Sequence, residues 1–172
     1  EGFPADPAVI FLSTNSASAA ITVIEGRTSA LFETREQIEF QTGTTAGTLV
    51  IRVELGSHTE SVSLPIAAAP PSIDSVRATR SASSLELQLS GFDNTRTASQ
   101  LSFTFYDRAG GVIGAGPVRA DVGAAFEEYF KSSEVGGMFS LRAVFPVTGD
   151  TSAVGAVEVE LANSAGTAKS AR

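Results

Sequence analysis

Apolar residues recur at every second position in several stretches of this chain, and that period constrains the fold more than any other feature. Leu49, Ile51, Val53 and Leu55 alternate with Arg52 and Glu54, and Val62, Leu64 and Ile66 follow at the same spacing. Leu85, Leu87 and Leu89 alternate with Glu86, Gln88 and Ser90, and Leu101, Phe103 and Phe105 with Ser102, Thr104 and Tyr106. Phe139, Leu141, Ala143 and Phe145, then Val157, Val159 and Leu161, repeat the pattern. Successive side chains of a strand point to opposite faces, so each stretch reads as a strand with one buried face. Shorter runs at 8–12, 18–25, 30–34 and 37–41 bring the first 66 residues to about six expected strands, with turn residues between them. One segment departs from the rhythm. Val122, Phe126, Tyr129 and Phe130 fall at helical spacing, which predicts a helix over 121–131. Asp121 is placed to cap it, and Gly136-Gly137 lies beyond its end.

The chain has 172 residues, enough for one large domain or two small ones. Ala67-Ala68-Ala69-Pro70-Pro71 has no amphipathic period, and a proline pair does not sit inside a sheet or helix. The division expected there gives a β-sandwich over 1–69 and a second over 70–172, the latter carrying the helix near 121–131. The last residues, from Asn163 to Arg172, are small and polar and are expected to fray.

Composition removes several function classes. There is no cysteine, hence no disulfide and no thiolate chemistry. Net charge is −7, with three basic and eight acidic residues over 1–69 and nine and eleven over 70–172. No basic stripe is present to bind nucleic acid. No apolar run reaches the length of about 18 residues that a spanning helix needs. The chain begins at Glu1 without Met and carries no leader pattern, so it reads as a piece of a longer protein.

Each chemistry-bearing residue has a plainer reading. His58, the single histidine, lies beside Gly56 and Ser57 in a hairpin turn with no second ligand near it in sequence. Glu127 and Glu128 are helix neighbours about 100° apart, too divergent to flank one scissile bond. Glu25, Glu33, Glu36 and Glu39 are acidic enough to attract calcium but lack its loop pattern. Asp93-Asn94 and Asp150 read as turn residues. Gly110, Gly111, Gly114 and Gly116 fit neither the dinucleotide nor the nucleotide-phosphate loop. Among aromatics, Tyr106 is the best candidate for an exposed ring, since Phe103 and Phe105 take the opposite face, and Tyr129 is the second. No catalytic, cofactor-binding or metal-ligating residue is assigned, and no cofactor is expected.

The stretch Ile21-Thr22-Val23-Ile24-Glu25-Gly26-Arg27-Thr28-Ser29-Ala30, with Phe40-Gln41-Thr42-Gly43-Thr44-Thr45-Ala46-Gly47-Thr48-Leu49, resembles segments of bacterial immunoglobulin-like surface modules. The runs 145–154 and 157–166 resemble closing strands of modules at the C-terminal ends of large secreted bacterial proteins. The resemblance implies two tandem immunoglobulin-like β-sandwich domains, export to the cell surface or beyond, and a non-catalytic role. The function expected is a structural or adhesive module pair, with an unknown protein or glycan as partner. The alternative is a carbohydrate- or matrix-binding accessory module of a larger extracellular enzyme.

Overall fold

A computed structural model describes residues 5–172. It is mainly β, with several antiparallel sheets and one short helix. In chain order the elements are β1 (Val9–Phe11), β2 (Phe40–Thr42), β3 (Gly47–Leu55), β4 (His58–Ile66), β5 (Ser72–Arg80), β6 (Ser84–Phe92), β7 (Gln100–Asp107), β8 (Val118–Asp121), α1 (Gly123–Ser132), β9 (Met138–Pro146), β10 (Val154–Asn163) and β11 (Gly166–Lys169).

Two larger sheets, ordered β5-β6-β9 and β11-β10-β7-β8, bury their apolar faces in one cluster. Leu85, Leu87 and Leu89 of β6 meet Leu101 and Phe103 of β7 and Val157, Val159 and Leu161 of β10 there. Phe145 of β9 joins the sheets directly, its ring 4.8 Å from that of Phe103 and 5.1 Å from that of Phe105, both edge-on. These are the residues that alternate in sequence, and burying each contributes roughly 1.5–3 kcal/mol. The opposite faces carry Glu86, Gln88, Arg142, Glu158, Glu160 and Lys169, with ion pairs at Arg142–Glu86 and Lys169–Glu160.

α1 follows β8 and leads toward β9. Phe126 and Phe130 enter the same core, while Glu127 and Glu128 stay exposed and Glu127 pairs with Lys131 at 2.8 Å. Asp121 does not take the N-cap position expected of it. Val122 is the N-cap and has no side-chain cap, whereas the Asp121 carboxylate accepts the Gly123 amide at 3.0 Å.

The first 66 residues differ from the six strands expected. Among the described residues they form two two-stranded sheets, β1-β2 and β3-β4. Residues 18–25 and 30–34 make isolated bridges, Thr22 with Leu31 and Phe32 with Arg35. The cause is composition: these segments are rich in Ser, Ala and Thr, and of their large apolar residues only Leu31 is fully buried, while Val23 and Ile24 remain 49% and 45% exposed.

The C-terminal expectation is overturned. Residues 166–169 form β11, paired with β10 through a two-residue turn at Ser164-Ala165. Asn163 makes that turn by accepting the amides of Ala165 and Gly166 at 2.8 and 3.0 Å. Beyond β11, Ser170 exchanges two further bonds with Val159. A small, polar composition predicts fraying, but the backbone amides and carbonyls of these residues complete an otherwise open strand edge.

Candidate functional site

The turn Gly56-Ser57 joins β3 to β4, with Gly56 at φ +59 in the conformation that a two-residue hairpin turn requires of its first residue. The paired residues Leu49–Leu64 and Ile51–Val62 share a face with Val53 and Leu55. That face, apolar except for Glu60 and His58 near the tip, is largely uncovered: Val53 is 46% exposed, Leu55 51% and Val62 64%. The hairpin is thus an arm that has the patterning of a core strand and lacks a core.

Both feet of this arm are held by one residue of the β6–β7 loop. The Asn94 carbonyl accepts the amide of Ala46, just before β3, at 2.8 Å. Its side chain donates to the Ala67 carbonyl at 2.9 Å and accepts the Ala69 amide at 3.0 Å, just after β4. Asn163 adds a bond to the Ala69 carbonyl at 2.9 Å. The stretch 67–71, where the sequence places the domain division, is therefore clamped, and Pro71 is buried.

Asp93 stiffens the clamp. It is fully buried, and its carboxylate accepts the amides of Thr95, Thr97 and Ala98, the Thr95 hydroxyl and the Asn163 side-chain amide, all within 2.7–3.0 Å. Its own amide donates to the Gly137 carbonyl at 2.8 Å. A Cβ on Gly137 would collide with the Asp93 backbone, so this close approach requires glycine. Arg96, 2% exposed and at φ +55, reaches from the same loop to the Thr45 hydroxyl at 3.0 Å.

Asp6 organises the other side of Thr45. It accepts the amides of Ala8, Thr44 and Thr45 and the hydroxyls of Thr44 and Thr45, at 2.7–3.3 Å. Burial raises its pKa, but the bonds from the Thr44 and Ala8 amides and from Thr45 outweigh that and hold the carboxyl at about 2, below the ordinary 3.8.

The residues singled out from sequence fall elsewhere. His58 opens β4 at the arm's tip, exposed and opposite Leu55. Glu36 meets Ser29 and Arg27, and among the described residues no group of three or more His, Cys, Asp or Glu is placed to hold a metal ion. Asp150 accepts the amide and hydroxyl of Ser152 and caps a single 3₁₀ turn. The loop with Gly110 and Gly111 closes on Asp107, which accepts the amides of Ala109 and Gly111.

Tyr106 is not an exposed ring. It is 6% exposed, bridges to Val112, and lies under the Arg172 guanidinium at 4.0 Å. The alternation placed it correctly on the outer face; the β11 extension then covered it. Tyr129 is 37% exposed beside an apolar depression of about 190 Å³ between α1 and β9, its hydroxyl donating to the Met138 carbonyl at 3.2 Å. Among the described residues no helix is long and apolar enough to cross a membrane.

Compared with known proteins, the chain matches no family model, and no curated protein or solved structure matches it.

The clamp residues Asp93, Asn94 and Asn163 carried a weak signal: short polar side chains directly after an apolar strand. Such residues bind nearby backbone in any turn, and sequence does not reveal that Asn94 also reaches Ala67 and Ala69.

Proposed function

We propose that this chain is a non-catalytic structural or adhesive module of a secreted or cell-surface bacterial protein. In this reading residues 70–172 form an immunoglobulin-like sandwich, and it holds the β3–β4 arm out at a set angle. The observation that carries the reading is the Asn94 clamp on both feet of an arm whose apolar face is uncovered. A hairpin tied at one foot swings; one tied at both points in one direction. The single core shared by β6, β7, β9 and β10 supports the sandwich, and the exported setting rests on the resemblance alone.

The glycan-binding alternative calls for aromatic rings open to a sugar face. Tyr106 is withdrawn from that role by burial, which leaves Tyr129 by itself and favours the structural reading.

The cysteine-free chain makes a direct test simple. Spin labels on Ser57→Cys at the arm's tip and Thr79→Cys on β5 report the distance between arm and body in dilute solution. One narrow distance distribution is expected, broadened by Asn94→Ala. A broad distribution in the otherwise unchanged protein would overturn the reading.

A further inference from the structure

The arm's two open edges are not equivalent. Leu55 and His58 flank the two-residue turn and form its hydrogen-bonded pair, so every second residue of β3 from Leu55 back bonds inward to β4. Thr48, Val50, Arg52 and Glu54 then turn their amides and carbonyls to the other side, where β3 has no strand partner among the described residues. Pro65, opposite Thr48, occupies the same outward register on β4. It has no amide to offer, so β4's edge is interrupted while β3's is complete.

We propose that the β3 edge pairs with the β3 edge of a second copy of this chain, antiparallel, with Val53 on the two-fold axis. The inference rests on the arm being held rigidly, as proposed above. Charge selects the occupant and the register. With Val53 on the axis, Arg52 faces the partner's Glu54 and Glu54 faces the partner's Arg52, both at hydrogen-bonded positions. Shifting the axis to Arg52 or to Glu54 sets like charges opposite each other, which is destabilising. Shifting it to Ile51 leaves both charges opposite uncharged residues. The strand is thus complementary to itself in one register. Pairing also converts a two-stranded ribbon, marginal alone, into a four-stranded sheet, β4-β3-β3-β4, in which the Ile51, Val53 and Leu55 side chains of the two copies lie side by side on one face. The overlap spans only the outer part of β3, short of the roughly 1,200 Å² of a standard interface, so the dimer is reversible and concentration-dependent.

The test uses single cysteines in the full chain. Val53→Cys places two thiols across the axis at a non-hydrogen-bonded pair, within disulfide reach. Glu60→Cys lies opposite Val53 on the same face but on β4, so its copies sit about 14 Å apart across three strand spacings. Under mild oxidation Val53→Cys is expected to form disulfide dimers at least about tenfold faster than Glu60→Cys. Arg52→Glu and Glu54→Arg are each expected to lose self-association in sedimentation, and an equimolar mixture of the two to regain it. Equal cross-linking rates at the two sites, or charge variants that associate as the unchanged protein does, overturn the inference. The spin-label distance within one chain is read in dilute monomer, so a failed pairing leaves the rigid arm standing, and a mobile arm is detected separately.

Discussion

Asp6 accepts five hydrogen bonds, all from residues 8, 44 and 45, and so ties the start of the described chain to the foot of the arm. Its folded pKa of about 2 lies below the ordinary 3.8. A depressed carboxyl stabilises the fold fully above its unfolded pKa and loses that contribution as pH falls through the folded value. Stability is therefore expected to decline between about pH 4 and pH 2, and Asp6→Asn to flatten that part of the profile. The carboxylate is partly solvated, so screening reduces its share to about 1 kcal/mol. Urea unfolding at a series of pH values checks this, and an unchanged slope in Asp6→Asn would refute it. Tyr106 shows the limit of reading a single residue. Its face was legible from alternation, but its cover comes from Arg172, 66 positions later in the chain.

At the scale of elements, β3, β4, β6, β7, β9 and β10 lie where the period of two put them, and α1 where the period changed. The misses share one cause. Residues 18–25 alternate but carry few large apolar side chains, and residues 166–169 carry none, so pattern and pairing came apart in both directions. β11 exists because Asn163 turns the chain and β10 has an edge to fill. Ending the chain after Asn163 removes that pairing, the Ser170 bonds and the Arg172 cover. A loss of about 3 kcal/mol is expected from several backbone bonds at about 1 kcal/mol each. With no tryptophan and only two tyrosines, a Tyr129→Phe background leaves Tyr106 as the sole fluorophore of its kind. Truncation is expected to expose it to a soluble quencher; unchanged quenching and stability would show that the tail does not cover it.

Across the whole molecule the stability is unevenly placed. Leu87 is fully buried in the shared core and Val62 is 64% exposed on the arm, though both sit in strands of the same pattern. Leu87→Ala is expected to cost about 2–5 kcal/mol in chemical unfolding, and Val62→Ala to stay within about 0.5 kcal/mol. Similar losses at both sites would mean that the arm's apolar face is covered within the monomer. The sequence alone determined that the chain is mainly β, where its long alternating strands β6, β7, β9 and β10 run, where its one helix lies and which face of each of those strands is apolar. Those are local properties, set by backbone geometry and by neighbours two to four residues apart. Only the tertiary structure decided which apolar faces meet. β3 and β6 read alike as patterns, yet β6 lies between β5 and β9 above a second sheet, whereas β3 has β4 and solvent. Burial depends on what distant segments bring to a face, and alternation along a strand carries no record of that.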